Sequence, residues 1–556
     1  MFLRQHVVRR GERSYVSYRL CRTVREGGSV RQEIVANLGK LSDEEAARIG
    51  RQLLQIAGKA PPADPQDAEQ GPACLYGGPL LVQTLMELAN LPALLRPLGE
   101  TRRRLDFDRT VLVALCAQLL APGSDLKTAH WQRKLLFTQP PYEIPYHHFL
   151  RTLDVLADHH DQIEDGLFAR VKHLFNQRVD VVFYDLTSSY FEGDGPLALA
   201  KRGYSRDGRP DCVQIVLGLA VTKDGFPIAY RVHPGNTVDA KTVHQIAQDF
   251  RERFEVDQCL VVGDSGLLSK DNAAALDKLG LGYLMGMRSA TTQAAQDAIA
   301  ASRDTAPVGQ LGNVTYWSPQ IAADRAYIVL HSPGRHKKTL AIAERKLAAV
   351  RPQLQQLERD VAAGKVRSPR TITERATRIL VSARATPWVQ WELADGGSFR
   401  WRENDQRLAA VREEGGKYVL QTNCLELAAQ DAAVAYRQLE AVEDCFRHLK
   451  DTLRLRPIYH RHPHRVMGHI GLCVIALFLL RLLDDRLLKA GLCDPADDAL
   501  TAVNELQAVP VILGDHELWP TPHITAKAAA IFRALGVSDI KPRFLADLHS
   551  LGKLSS

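Results

Sequence analysis

Two aspartates follow runs of apolar residues that are typical of buried β-strands. Asp185 comes after Val181–Tyr184 in VVFYDLT, and Asp264 comes at the end of CLVVGD. If the two strands are neighbours in one sheet, both carboxylates leave it at the same edge and converge there. Like charges this close persist when one carboxyl is protonated or when a cation lies between them. A single aspartate at a strand end is more often a turn former or a helix cap, so each residue alone indicates little.

A third carboxylate, Glu443, lies in AYRQLEAVEDCFRHLK, residues 435–450, inside a stretch that is predicted to be one long helix. Seven residues turn an α-helix through almost two revolutions, so Tyr436, Glu443 and Lys450 would share one stripe. The simpler interpretation is an ion pair between Glu443 and Arg447, worth only a few tenths of a kcal/mol. The alternative is a carboxylate that holds a metal ion, flanked by cations that bind phosphates.

The combination of three carboxylates predicts a particular kind of metal site. Oxygen ligands select hard cations, so Mg²⁺ or Mn²⁺ is favoured over zinc. Two ions about 3.5 to 4 Å apart can activate an attacking hydroxyl and stabilise the leaving oxygen of a phosphodiester. We therefore take Asp185, Asp264 and Glu443 as candidate ligands of two such ions.

The elements that would position these carboxylates form a mixed sheet with helical cover. Three strands come first, and the second and third are joined at a turn near Gly225. A helix, the strand before Asp264, another helix and the strand GYLMGMR follow. This order is typical of an α/β domain.

Composition and periodicity divide the chain of 556 residues into seven segments. The apolar spacing between Leu340 and Val361 predicts a helical hairpin with TITERATRIL, kinked at Pro352. The predicted segments are a basic N-terminal β module (1–51), a linker (52–75), a helical domain assigned to DNA binding (76–178), the first part of the sheet domain (179–290), an inserted subdomain (291–425), helices that carry Glu443 (426–485) and a C-terminal helical region (486–556).

The charge balance by itself does not indicate a polyanionic partner. Lys and Arg outnumber Asp and Glu by 71 to 64, an excess that solubility alone can explain. Residues 1–51 are more basic, with eleven Lys or Arg against six Asp or Glu. A solvated hairpin and a nucleic-acid-binding module explain this segment equally well.

Cysteine usage and hydropathy favour the cytoplasm. The nine cysteines include no C-x-x-C pair, which suits a reducing compartment. MFLRQHVVRR lacks the apolar core of a signal peptide. The longest apolar run, GLCVIALFLL, is closed by Arg481, and we expect it to be too short to span a membrane.

By these residues and their spacing, the sequence resembles the DDE transposases of bacterial insertion sequences, in the IS-four-like branch marked by the signature Y-x2-R-x3-E-x6-K. Tyr436, Glu443 and Lys450 match at the required spacing, and Leu439 stands where the signature has arginine. That phosphate contact could shift to Arg437 or Arg447. The resemblance also includes FYDLTSSYFEG, VVGDSGLLS and LRPIYHRHPHRVMGHI, and it covers most of residues 179–480.

The resemblance implies a ribonuclease-H-like α/β core, interrupted by a β-rich and helical insertion before the glutamate. Asp185, Asp264 and Glu443 would be its metal-binding triad. The implied reaction is metal-dependent hydrolysis at the ends of the element, followed by attack of the freed 3′-hydroxyl on target DNA. A homodimer on DNA is implied, because two ends must be brought together. The alternatives are a nuclease of the same core that does not join strands, and a non-catalytic DNA-binding regulator derived from a transposase.

Two further groups have less specific interpretations. The loop KRGYSRDGRPD is either solvated or in contact with the DNA backbone through Lys201, Arg202 and Arg206. Four histidines in the 460–469 region are better explained as structural or DNA-facing groups than as metal ligands, because no cysteine accompanies them.

Overall fold

The structure is a computed structural model and describes residues 1–10, 13–26, 29–56, 69–100, 105–138, 143–175, 181–238, 242–253, 259–288, 292–394, 397–513 and 516–553. The chain separates into two units. The first consists of Met1–Tyr76, Leu506–Ala529 and Ser538–Ser556, and the second of Gly77–Glu505 and Ala530–Val537. All of the candidate catalytic carboxylates belong to the second unit.

The first unit begins with an antiparallel three-stranded sheet, as the basic β module predicts. Its elements are β1 (Phe2–Arg10), β2 (Arg13–Glu26), β3 (Ser29–Gly39), α1 (Asp43–Ile56), β4 (Glu69–Gln70) and β5 (Cys74–Leu75). Sequence reasoning missed α1, which runs past residue 51 into the predicted linker. A capping box starts this helix, since Ser42 Oγ accepts from Glu45 N and Glu45 Oε2 accepts from Ser42 N. Residues 57–68 of the linker lie outside the described residues.

The second unit opens with the predicted helical domain. Its helices are α2 (Gly77–Leu88), α3 (Leu91–Gly99), α4 (Phe107–Leu120), α5 (Asp125–Trp131), α6 (Tyr146–Asp158) and α7 (His160–Phe175). Side-chain caps define where two of them begin. Asp106 accepts from Arg109 N before α4, and Ser124 accepts from Lys127 N before α5.

The mixed sheet follows in the predicted order of elements. These are β6 (Val181–Tyr190), β7 (Gln214–Thr222), β8 (Pro227–Pro234), α8 (Val243–Glu252), β9 (Leu260–Gly263), α9 (Lys270–Lys278) and β10 (Gly282–Gly286). The strands lie side by side as β8-β7-β6-β9-β10. The pairs β6/β9 and β9/β10 are parallel, and β6/β7 and β7/β8 are antiparallel.

The segment predicted to be an insertion extends this same sheet. Its elements are α10 (Gln293–Ala301), β11 (Gly309–Leu311), β12 (Val314–Tyr316), β13 (Gln320–Ala322), β14 (Arg325–His331), α11 (Pro333–Ala362), α12 (Pro369–Ser382), β15 (Val389–Leu393), β16 (Phe399–Glu403), α13 (Asp405–Glu414) and β17 (Lys417–Thr422). β17 pairs with β10, β14 with β17, β12 and β13 with β14, and β11 with β12, so the sheet reaches ten strands. Long-range pairing of this kind has no local sequence signal.

The remainder of the insertion has a core of its own. α11 packs on α12 as predicted, and it continues as one helix through Pro352. Leu347, Leu354 and Ile372 are fully buried between the two helices and the β15/β16 hairpin. Trp391 and Trp401 face each other across that hairpin and pack partly buried against this core.

The stretch predicted to be one long helix is broken. It forms α14 (Ala429–Arg437), a turn at Gln438 and Leu439, and α15 (Glu440–Arg447), which ends in a π-helical turn over His448–Thr452. The apolar periodicity continues across the break, which is why the sequence pattern did not reveal it.

The apolar run after His469 belongs to a longer helix than expected. α16 (Pro463–Lys489) has 27 residues, and by length and composition it could cross a membrane. In this structure 83% of its most apolar window is buried inside the protein. It packs against α4 and α6, as the core helix of a globular domain does.

The C-terminal region contains strands as well as the predicted helices. Its elements are α17 (Ala496–Asn504), β18 (Gln507–Ala508), β19 (Val511–Leu513), β20 (His516–Leu518), α18 (Ala526–Ala534) and α19 (Ile540–Ser550). β18 pairs with β5, and β19 pairs with both β4 and β20. The short strands were not predicted, because two or three residues are too few to show the alternation of a β-strand in the sequence.

Candidate active site

Asp185 lies in the middle of β6, an interior strand of the mixed sheet between β7 and β9. The strand continues to Tyr190, so the prediction that Asp185 ends it is wrong. The polar run TSSY after the aspartate remains paired with β7, and Asp185 itself is opposite Leu219. Its side chain is therefore held by a rigid element rather than by a loop.

Asp264 lies immediately after β9, as predicted. Phe183 of β6 pairs in parallel with Val262 of β9, and each candidate aspartate is two residues further along its own chain. Because side chains alternate along strands, both aspartates share a face and a level of the sheet. Asp264 Oδ1 accepts from Gly266 N at 2.8 Å, which fixes the carboxylate in a tight turn.

Glu443 is carried by α15, which packs against β6 and β7. Val442, Cys445 and Phe446 form the buried face of this helix. Cys445 Sγ contacts the Gly225 carbonyl oxygen at 3.1 Å, between β7 and β8. Glu443 itself is exposed.

The three carboxylates interact electrostatically. Burial, the charge of Asp264 and, to a smaller extent, the charge of Glu443 together raise the pKa of Asp185 to about 7, against the lowering effects of the Leu186 backbone N–H and of Arg206. A bound divalent cation would neutralise this negative charge at a half-buried position. The donor set, three carboxylates, fits Mg²⁺ or Mn²⁺.

The tightest cluster of possible ligands is elsewhere and does not fit a metal ion. Among the described residues, ligand atoms of His160, Asp161 and Glu164 lie within 4.8 Å of one another. Glu164 is already neutralised, because Arg231 Nη1 and Arg253 Nη1 approach its two oxygens at 2.8 and 2.9 Å. This cluster is an ion-pair network, and a cation there would have to displace two guanidinium groups.

A polar cavity of about 620 Å³ opens beside the carboxylates. It lies between the sheet and helices α14 and α15, and both Asp264 and Glu443 line it. Tyr436 and Arg437 at the end of α14 line it too, as does Leu439 in the turn. The helix break therefore brings Tyr436 and Glu443 to one cavity without the continuous stripe that the sequence predicts.

Tyr436 is closely fitted in this cavity. Its hydroxyl lies 2.7 Å from where a Cβ on Gly286 would be. Burial raises the pKa of Tyr436, the hydrogen bond and charge of Arg335 lower it, and Asp264 and Glu443 raise it. The phenol thus lies within electrostatic reach of two of the three carboxylates.

Lys450 lies in the π-helical turn and is held by an aspartate that sequence reasoning did not consider. Its Nζ donates to Asp207 Oδ1 at 2.7 Å, and Arg456 Nη1 reaches the same oxygen at 2.7 Å. The Asp207 side chain is only 2% exposed. Arg206, next to it, donates its backbone N–H to Ser188 Oγ on β6 at 2.9 Å, and its charge acts on Asp185. The basic loop therefore approaches the catalytic strand.

The remaining predicted contacts lie on the surface. Arg447 pairs with Asp444 at 2.9 Å, so the simpler interpretation of an ion pair between Arg447 and Glu443 does not hold. Lys201 is exposed and pairs through its backbone with Gln214, and Arg202 is exposed beside it.

One residue of the cavity was missed altogether. Arg335, near the start of α11, lines the cavity although it is about a hundred positions from Glu443 in the chain. Its guanidinium lies 4.1 Å from the centre of the Tyr418 ring. Only the pairing of β14 and β17 with the sheet brings it here, and no sequence motif marks it.

Two of the four histidines are structural. His469 is half-buried, and His460 lies against it with ring centroids 5.4 Å apart. His460 Nε2 is 3.5 Å from Asp125 Oδ2. The more exposed His464 pairs with Asp158 at 2.9 Å.

Comparisons with known proteins show the family of the chain. A family model described as "Transposase DDE domain" matches residues 178–479, more than half of the chain. A second, described as "IS1634 family transposase, N-terminal domain", matches residues 4–65. No curated protein matches the sequence. A solved structure, "Mos1 transposase paired-end complex with left transposon end", is 13% identical and covers 44% of this chain and 68% of its own, but its TM-score of 0.14 supports no structural argument.

Proposed function

Because the chain belongs to the DDE transposase family, whose members cleave DNA and transfer strands, we propose that it cleaves the ends of an insertion sequence and joins them to target DNA by a two-metal mechanism. The observation that carries this proposal is the convergence of three carboxylates: Asp185 and Asp264 come from the adjacent parallel strands β6 and β9, and Glu443 lines the same cavity as Asp264. The strand order β8-β7-β6-β9-β10 supports a ribonuclease-H-like core.

In the proposed site, Asp185, Asp264 and Glu443 would hold two Mg²⁺ ions, or Mn²⁺ in their place. Such ions activate an attacking oxygen and stabilise a leaving oxygen of the phosphodiester. The protein itself holds the three carboxylate ligands in fixed positions. Asp185 lies on β6, Asp264 directly follows the adjacent parallel strand β9, and Glu443 lies on a helix packed against β6 and β7, so the ligands keep their geometry as DNA arrives.

The cationic groups around the cavity and the Tyr436 hydroxyl would bind the DNA backbone. Tyr436 and Arg437 line the cavity, and Lys450 and Arg206 gather at Asp207 beside β6. Arg447, Lys201 and Arg202, further out on the surface, would contact the duplex by charge alone. Two ends must be held at once, so we propose a homodimer on DNA that works in the cytoplasm.

The test uses the DNA that flanks the gene. Wild-type protein, a duplex carrying the terminal repeats and Mg²⁺ should give cleaved ends and products joined to a target plasmid. Asp185→Asn, Asp264→Asn and Glu443→Gln should each abolish both products while binding of the end duplex survives. Asp431→Asn, an exposed carboxylate on α14, is the matched control and should be fully active.

The outcomes separate the alternatives. Cleavage without joining would indicate a nuclease of the same core, and binding without cleavage by wild-type protein would indicate a regulator. Cleavage that persists in any of the three carboxylate variants would contradict the assignment of that residue.

A further inference from the structure

The cavity holds an arginine whose charge has no acidic partner among the described residues. Arg335 is exposed, and no carboxylate of the described residues lies within ion-pair distance of it. By contrast, Arg447 is paired with Asp444, and Lys450 with Asp207. An unpaired guanidinium inside a cavity lined by acids keeps its capacity to bind an anion.

The guanidinium of Arg335 is held in place by two tyrosines. It stacks over the Tyr418 ring at 4.1 Å and hydrogen-bonds the Tyr436 hydroxyl. The two rings lie 5.9 Å apart, tilted by 36°. Stacking on an aromatic face occupies one side of the plane and leaves edge donors for a ligand.

The backbone under Arg335 is also fixed. β14 ends at His331, paired with Lys417 of β17, and Ser332 then donates its N–H to the Gly416 carbonyl at 3.0 Å. Ser332 Oγ caps the helix by accepting from Arg335 N at 3.4 Å. Arg335 is therefore anchored to the ten-stranded sheet, as the carboxylates are.

The residue at the position of the signature arginine cannot bind a phosphate here. Leu439 is 8% exposed and forms part of the cavity wall in the turn before α15. Its apolar side chain offers no donor to a phosphate. Arg335 and Tyr436 together supply donors in the same cavity as Asp264 and Glu443.

We propose that Arg335, which comes from the insertion, binds a DNA backbone phosphate beside the catalytic carboxylates and takes the place of the signature arginine that is absent at Leu439. The inference rests on the proposed function, because it assumes that DNA enters this cavity. Tyr436 would share the phosphate or orient the guanidinium toward it.

The experiment compares wild type with Arg335→Ala, Arg335→Lys and a matched control, Arg345→Ala, an exposed arginine ten residues further along the same helix and outside the cavity. Single-turnover cleavage of the end duplex should fall by roughly 10- to 100-fold in Arg335→Ala, as expected for the loss of a charge-assisted hydrogen bond. Arg335→Lys should lose less, because it keeps the charge without the fork geometry. Arg345→Ala should match wild type.

A second measurement identifies the phosphate and does not depend on turnover. Binding without divalent metal is measured to end duplexes that each carry one neutral methylphosphonate linkage. Wild type and Arg345→Ala should lose affinity at one position near the cleavage point, and Arg335→Ala should be insensitive there. The same scan in the target duplex, read by joining of pre-cleaved ends, tells whether the bound phosphate belongs to the end or to the target.

The proposal is overturned if Arg335→Ala cleaves as well as Arg345→Ala and shows the wild-type methylphosphonate pattern in both duplexes. In that case the proposed function stands, because wild type is active in the same assay. Wild-type protein that neither binds nor cleaves the ends would overturn both.

Discussion

At the scale of single residues, the site depends on one close contact between a strand and a helix. Gly286, the last residue of β10, leaves the space that the Tyr436 hydroxyl occupies. Its φ is not in the left-handed region, so an alanine is compatible with the backbone there. The glycine is needed for space, and its main effect should pass through the tyrosine, because the next group, Ser265 N, lies 3.4 Å from the added Cβ, at ordinary contact distance.

Gly286→Ala should therefore displace the Tyr436 hydroxyl and lower single-turnover cleavage by roughly tenfold or more, since small misplacements of binding groups are costly. The comparison is a double-mutant cycle with Tyr436→Phe, which removes the hydroxyl. In that background the alanine should cost little further activity. Fully additive losses in the double mutant would show that Gly286 acts by another route.

The residues of the site differed in how far sequence could predict them. Asp185, Asp264, Glu443 and Tyr436 stand in recognisable local patterns, and their places in the fold agree with a common site. Arg335 and Asp207 have no such pattern, because each reaches its place only through tertiary pairing. Leu439, a departure in the signature, is explained as a buried wall residue.

At the scale of elements, a buried ion-pair network joins α7 to β8 and α8. Glu164 on α7 is 1% exposed and accepts from Arg231, from Arg253 and from the Tyr230 backbone N–H. Arg231 on β8 also reaches Asp249 on α8. Burial raises the pKa of Glu164, and the two arginines lower it, so the carboxylate depends on them to remain charged.

Arg231→Met should lower the free energy of unfolding by roughly 3 to 5 kcal/mol, because it leaves a buried carboxylate with too few partners. The measurement is urea-induced unfolding at neutral pH. The control is Arg370→Met, which breaks the exposed i,i+4 pair with Glu374 and should change stability by about 0.5 kcal/mol or less. Equal effects of the two substitutions would contradict the importance of the network.

Elements of regular period were predictable, and their interruptions and long-range partners were not. Apolar runs and the alternation of polar and apolar residues predicted β6 to β10. Apolar residues spaced by three and four positions predicted α11 and α12. The break at Gln438 and Leu439 was hidden because the apolar spacing continues across it. The pairing of β14 and β17 with the sheet could not be predicted, because a single sequence does not indicate which distant strands pair.

At the scale of the whole molecule, buried histidines link stability to pH. Burial lowers the pKa of His460 and of His469 to about 4 each. For His460 this pKa includes a lowering effect of Arg465 and a raising effect of Asp154. For His469 it includes a lowering effect of His460 and raising effects of Asp125 and of the Leu455 carbonyl. Cys473 Sγ lies 3.9 Å from His469 Nε2, and burial raises its pKa far from this range.

The folded protein keeps both histidines neutral between pH 6.5 and 4, while the unfolded chain takes up protons there. Stability should therefore be complete above about pH 6.5 and fall on acidification, by roughly 1.4 kcal/mol per pH unit for each histidine. The midpoint of urea unfolding across this pH range measures it. His460→Gln should flatten the slope, and an unchanged slope in that variant would contradict the assignment.

The continuous ten-stranded sheet has a consequence for attempts to trim the protein. Excising residues 291–425 would remove β14 and β17 and leave β10 as an open edge, with unpaired backbone groups next to the catalytic β9. Exposed edges of this kind template intermolecular pairing. A shortened transposase would thus be prone to aggregate through its own active-site sheet, so the inserted segment also serves as the cover that keeps this edge from self-association.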